Sequence, residues 1–330
     1  MLGRAAVCCS LWLFCAVVPA VAGDWSPRLA AQYLDNRQKE WFDWPTANAN
    51  AKPCLSCHTG MTYLLARPAL RRALGEESPT TYETGLLASL RTRVDKREPP
   101  AGPGLGVETV FAARFLGSPE AMDRFWALQI KDGAGKGAWN WFSLELDPWE
   151  MPDSRFYGAA VAAMSIPPAD QARPEARDLA AYLQREQASQ PLHNRLMLLW
   201  ASTRFEQILK PADRRAIIEQ VWKAQQPDGS WTNEAMGPFG AHAAAPASKG
   251  SNAYMTAFAT YVMQQAADDS GHPKLRRGLD WLRNHQDPAS GAWQAVSMNK
   301  EYPAGSQQSK FMSDAATGFA VLALLGGSGQ

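Results

Sequence analysis

Within the segment AKPCLSCHTG, residues 51–60, two cysteines and a histidine (Cys54, Cys57 and His58) fall in five positions, and no later cysteine follows to pair with them. Two thiols separated by two residues can add to the two vinyl groups on one porphyrin edge. The next side chain then lies beneath the macrocycle, where an imidazole can bind iron. The spacing therefore predicts a covalent haem c, with Cys54 and Cys57 as thioether anchors and His58 as the proximal iron ligand. Other chemistries use the same residues. A Cys54–Cys57 disulfide would suit an oxidising compartment but leaves His58 unexplained, a zinc site would need further ligands, and a five-residue pattern also arises by chance.

The compartment bears on that choice. Residues 1–22 read as a secretory signal, with Arg4 as the charged start, an apolar run from Ala5 to Val18 and the small residues Ala20-Val21-Ala22 at a cleavage site. The mature chain is then expected from about residue 23 as an exported, periplasmic protein with no membrane span. With 33 basic against 32 acidic residues and no dense basic cluster, the composition argues against nucleic acid as a partner.

The scaffold that would carry the motif is legible in a repeat. FWALQIKDGAGKGAWNW from Phe125, VWKAQQPDGSW from Val221 and RGLDWLRNHQDPASGAW from Arg277 each read as an amphipathic helix end, a glutamine, a glycine turn and a tryptophan. Each is followed, after a long loop, by an almost wholly apolar helix: SRFYGAAVAAMSI, SNAYMTAFATYVM and SDAATGFAVLALL. Helices with one apolar stripe belong outside and helices apolar all round belong inside. Alternation on that basis places outer helices at 27–44, 78–97, 118–130, 174–188, 212–226 and 273–286, and inner ones at 58–70, 106–117, 154–166, 192–204, 251–265 and 313–325. The expectation is an all-α, (α/α)6 toroid over residues 23–330, with Asp153, Ser251 and Ser313 as N-caps and Asp314, like Asp153, as a helix cap or a cavity acid.

The Gln225–Trp231 stretch and the fuller Gly278, Trp281, Leu282, Gln286, Gly291, Trp293 series resemble the QW repeats of the squalene-hopene cyclase and prenyltransferase-like α/α toroids. The resemblance implies that Gln129, Trp139, Gln225, Trp231, Gln286 and Trp293 tie neighbouring outer helices together. It does not carry over that family's chemistry. In SDAAT, Ser313 to Thr317, alanines replace two aspartates of the cyclase Asp-x-Asp-Asp-Thr motif, and no cysteine follows Cys57 to complete a prenyltransferase zinc site.

In such a ring every outer-to-inner connection shares one rim. The Cys54–His58 segment and the long loops 131–153, 227–250 and 287–312 are all of this kind, and loops of that length are commonly functional. They supply candidates for a sixth iron ligand, His242 or Met236, with Met151, Met298, Met312 and His193 on the same rim and Trp139, Trp141, Trp149 and Tyr302 as pocket walls. The sequence-level expectation is an exported haem protein performing electron transfer or haem-dependent redox chemistry with an unidentified redox partner, its status as an enzyme open. The alternatives are binding of an apolar small molecule, such as a lipid or isoprenoid, among Tyr157, Tyr254, Phe258, Tyr261 and Phe319 of the inner helices, a cyclase-like activity there, or a toroid that serves as a protein-interaction surface.

Overall fold

The computed structural model describes residues 25–48, 53–95, 102–240, 242–247, 250–267 and 271–326. The signal-peptide reading of residues 1–22 lies outside them. In chain order the helices are α1 (Pro27–Asp43), α2 (Gly60–Leu74), α3 (Thr81–Asp95), α4 (Gly102–Phe115), α5 (Pro119–Ala127), α6 (Ser154–Ala163), α7 (Pro174–Glu186), α8 (Leu192–Ser202), α9 (Pro211–Ala224), α10 (Asn233–Met236), α11 (Ala253–Ala266), α12 (Pro273–Asn284) and α13 (Phe311–Leu324). Among the described residues there is no strand, only isolated bridges at Leu146–Glu150 and Thr232–Ser251. Among the described residues no helix is long and apolar enough to cross a membrane.

The alternation holds, and the fold is an α/α toroid. Inner helices pack side by side in the order α4, α6, α8, α11, α13, α2, while α3 bridges α2 and α4. Around them α1 covers α2 and α13, α7 covers α6, α9 covers α8, and α12 covers α11 and α13. Five of the outer helices, α1, α5, α7, α9 and α12, begin on a proline, whose fixed φ suits a first turn and whose missing N–H would have had no partner there.

The repeat residues act as staples. Gln129 Nε2 donates to the carbonyls of Gly137 (3.0 Å) and Glu175 (2.9 Å), Gln225 Nε2 to those of Gly229 (2.9 Å) and Lys274 (2.8 Å), and Gln286 Nε2 to those of Gly291 (2.9 Å) and Ser26 (3.1 Å). Each glutamine thus binds its own turn and the start of the next outer helix. Trp139, Trp231 and Trp293 return their Nε1–H to the carbonyls of Phe125, Val221 and Leu282 at the end of their own outer helix. The turn glycine must be glycine. Gly137, Gly229 and Gly291 have φ of 94°, 97° and 81°, and a Cβ would lie within 2.4 Å of a backbone carbonyl oxygen of the neighbouring outer helix.

Closure brings the first helix to the last. Besides the Gln286–Ser26 staple, Asp314 on α13 is fully buried and accepts from Arg37 Nε (2.7 Å) and Nη2 (3.0 Å), Tyr33 Oη (2.8 Å) and Thr59 Oγ1 (2.7 Å). Asp314 is therefore not an N-cap, because α13 starts three residues earlier, at Phe311. Ser313 likewise lies inside that helix, where its hydroxyl accepts from Ala295 N. The cap of α11 is Asn252 rather than Ser251, and Asp153 stands at the cap position of α6 without a capping hydrogen bond.

Removing one partner of a buried ion pair strands the other charge. Asp314→Ala is expected to lower unfolding free energy by about 3–5 kcal/mol, read as a reduced denaturation midpoint. Gln286→Leu, which removes only neutral hydrogen bonds, should cost about 1–3 kcal/mol.

Candidate functional site

The long loops and the segment before α2 meet on one rim around three adjoining hollows of about 390, 280 and 490 Å³, all lined in part by Asp147. The 144–150 stretch is a tight reversal in which Glu150 N donates to Leu146 O (2.9 Å) and Leu144 N to Glu150 O (2.7 Å). Glu145, between the two leucines whose N–H groups bond the Glu150 carbonyl, has φ 57°, a left-handed conformation that side chains other than glycine's adopt at some cost. Asn299 clamps the reversal to the last long loop, its Oδ1 accepting from Asp147 N (2.8 Å) and its Nδ2 donating to Asp147 O (3.0 Å). The Asp147 carboxylate binds the third loop, through Gly240 N–H (3.4 Å) and His242 Nε2 (2.9 Å). One aspartate therefore ties three loops together.

The largest hollow has aromatic walls, with Trp41, Trp44, Trp149, Tyr302 and Phe311 around Cys54, His58, Glu150 and Met312. Leu144, 55% exposed, forms an apolar lip. Trp149 is anchored from below, donating Nε1–H to Tyr254 Oη (3.1 Å), which in turn bonds His193 Nε2 (2.8 Å). Burial pushes the carboxyls of Asp147, Glu150 and Asp153 above their ordinary range. Gly240 and His242 pull Asp147 back, whereas nothing opposes the shift at Glu150. Among the described residues no lysine or arginine lines the three hollows.

The sequence-derived residues are only partly gathered. Cys54 and His58 line the large hollow, but Cys57 packs into the hydrophobic core and lies on none of the three walls. Two thioether bonds to one macrocycle would require Cys57 to leave that packing. Burial pushes both thiols up, which disfavours the reactive thiolate. His242 lies on the other two hollows with its Nε2 engaged by Asp147, and Met236 is fully buried on α10. Neither faces His58 across a shared cavity. Met151 and Met298 line the smaller hollows, Trp139 is a staple, and Trp141 stands behind Trp149 with its Nε1–H on the Trp149 carbonyl (3.1 Å). Asp147, Glu150, Asn299 and Phe311 were not anticipated from sequence. The visible signal for the first two was the run of acids in ELDPWEMPD, inside a long loop rich in aromatics.

No family model and no curated protein matches the chain. Among solved structures it is similar to an inactive variant of an α-1,6-mannanase of Salegentibacter sp. HEL1_6 in complex with α-1,6-mannotriose, at 12% identity and a TM-score of 0.50, over 91% of this chain and 100% of that one. It also matches a polysaccharide lyase at 16% identity and a TM-score of 0.40, over 92% of this chain and 89% of that one. At such identities the first match establishes the α/α toroid fold alone.

These findings correct three expectations. The likeness to squalene-hopene cyclases and prenyltransferases is confined to the staple geometry, since no such family matches and the structural likeness is to a toroid that acts on a glycan. The reading as a cytochrome-like electron carrier or redox protein falls with it. Among the described residues no group of three or more His, Cys, Asp and Glu side chains could hold a metal ion, and of the two thiols and the favoured axial ligands only Cys54 and His58 share a cavity, with Cys57, His242 and Met236 off it. The isoprenoid or cyclase-like alternative is unsupported too. Phe258 and Phe319 (4.8 Å between ring centroids), Tyr254 and Phe258 (5.9 Å), and Tyr261 and Phe319 (5.9 Å) pack on one another as core, and none lines the hollows.

Below the site, burial lowers the fully enclosed His193 imidazole from 6.5 to about 4. Between those values the unfolded chain holds a proton that the folded one refuses, so stability falls as pH falls through that window. The expected loss approaches about 3 kcal/mol once pH is below 4. Denaturation midpoints measured from pH 7 to 4 should decline in the wild type and decline less in His193→Gln.

Proposed function

We propose that the chain is a carbohydrate-active protein that binds a neutral glycan in the rim trough and hydrolyses it, Glu150 giving its proton to the leaving glycosidic oxygen while ionised Asp147 takes a proton from the attacking water. The observation that carries this reading is the composition of the trough. Aromatic faces of Trp44, Trp149 and Tyr302 stand beside carboxyls held in different electrostatic settings. Aromatic rings stack on the apolar faces of sugar rings while carboxyls bond their hydroxyls. Glycoside hydrolysis requires two carboxyls in unlike settings: one holds a proton to give to the leaving oxygen, and the other stays ionised on the far side of the bond; burial raises both here, and only Asp147 has donors that draw it back.

Glu150 suits the donor role because burial raises its carboxyl with nothing opposing. Asp147 suits the ionised role because Gly240 N–H and His242 bond its charged form. The sign of the lining argues against acidic polysaccharides. A uronic acid polymer would meet Glu145, Asp147, Glu150 and Asp153 with no lysine or arginine on the walls to neutralise it. The mannanase, with which the chain shares its fold, is named for a neutral glycan. It is inactivated by changing two adjacent aspartates. The described residues here contain no adjacent aspartates, the Asp-Asp pair at 268–269 lying outside them, so the proposed chemistry rests on this chain's own Asp147 and Glu150.

Glu150→Gln is expected to reduce cleavage of the responsive neutral polysaccharide by roughly 10²–10⁴-fold, measured by reducing-end release, while leaving affinity for its oligosaccharides within about threefold. Neutral oligosaccharides, among them α-1,6-mannotriose, that fail to bind in calorimetry would remove the proposal.

A further inference from the structure

The His58 ring is held as if its polarity mattered. Four donors converge on the Asp314 carboxyl, from Arg37 (two), Tyr33 and Thr59. Burial pushes the Asp314 carboxyl up while Arg37, Thr59 and Tyr33 pull it back, and the bidentate approach of the guanidinium is that of an ion pair. A carboxylate only accepts, so the one hydroxyl proton of Thr59 is committed to Asp314 Oδ2 at 2.7 Å. The Thr59 oxygen can then only accept from its other neighbour, His58 Nδ1, at 2.8 Å. His58 consequently carries its proton on Nδ1. Its Nε2 is left as a bare lone pair, with no hydrogen bond to that atom from any described residue.

The ring also cannot turn over easily. Phe311 stacks on its face at 3.7 Å between centroids and 19° between planes, Trp41 presents its edge at 5.6 Å, and Trp149 closes a third side at 5.7 Å. Trp41 is itself pinned by Nε1–H to the Cys54 carbonyl (2.8 Å). An acceptor of fixed direction, walled by aromatic rings, therefore sits in the wall of the largest of the three hollows, beside Trp149 and Glu150.

We infer that His58 Nε2 is a ligand-reading acceptor that takes a hydrogen bond from a hydroxyl group of the bound glycan, with Thr59 and Asp314 as positioning residues that set its tautomer. The inference rests on the glycan reading of the same trough and deepens it. The site selects a hydroxyl donor, and a sugar with that hydroxyl removed or methylated leaves the lone pair dry and unpaired, the arrangement that discriminates most strongly between substrates. The same device explains why Asp314 is buried and ionised at the closure of the ring rather than replaced by an apolar residue.

The test uses the full chain labelled with ¹⁵N-histidine, the His58 signals being assigned by their loss in His58→Asn, with α-1,6-mannotriose as the probe. The wild type is expected to show Nδ1 protonated and Nε2 not, and the Nε2 resonance should move when the probe is added. Thr59→Val should mix the tautomers and weaken probe affinity about tenfold. Thr59→Ser, which keeps the hydroxyl, should restore both. A protonated Nε2 in the wild type overturns the relay, as does a Thr59→Val variant that keeps the tautomer and the affinity. Intact mass showing a covalent macrocycle on Cys54 and Cys57 also overturns it, because iron would then occupy Nε2. A probe that moves no resonance of the trough removes the glycan reading of the site and the hydroxyl partner with it, whereas the tautomer signal reports on the relay separately.

Discussion

A ring of helices has no natural end, and in this chain a buried charge fastens the two ends together. Asp314 on the last inner helix binds Arg37 and Tyr33 on the first outer helix and Thr59 at the mouth of the first inner one. Desolvating a carboxylate and a guanidinium is expensive, and the cost is offset only when every lone pair finds a donor, as it does here. An apolar contact of the same volume could close the ring. It could not also dictate which nitrogen of His58 holds a proton. The closure and the rim site are thus one hydrogen-bonded unit, and damage to one is felt in the other.

Above that closure the rim is built from loops, and what prevents them from behaving as loops is Asp147. Its backbone is clamped by Asn299 and its carboxylate by Gly240 and His242, so the three long connections converge on one residue. Burying Asp147 and Glu150 in one short reversal, with Asp153 just beyond it, is unfavourable, and the carboxyls that burial raises and the left-handed Glu145 record that. Such strain persists where the surroundings over-determine it. The packed aromatics of the inner helices supply the rigid floor: Tyr254 anchors Trp149, and His193 anchors Tyr254.

The glutamine and tryptophan staples show how far a motif can travel without its chemistry. Each glutamine bridges two carbonyls and each tryptophan returns to its own helix end, because an outer helix that stops in a glycine turn leaves carbonyls that need donors. That need belongs to any stack of helical hairpins. It says nothing about what occupies the rim, and the terpenoid-cyclase likeness carried no further than these contacts.

The alternation of striped and wholly apolar helices, the proline starts and the repeat positions were sufficient by themselves to determine the architecture, since burial pattern and backbone satisfaction are local properties of the chain. They also placed the long connections on one rim, because chain order decides which connections share it. Side-chain partnership was not legible. The Cys54, Cys57 and His58 pattern is compatible with several chemistries, and only tertiary packing turned Cys57 into the core and His58 toward Thr59. Asp314 reads from sequence as a helix cap, yet its role depends on a residue 277 positions away. Asp147 and Glu150 look like ordinary loop acids until burial raises them. Desolvation and long-range hydrogen bonds are properties of the closed ring, and no stretch of sequence carries them alone.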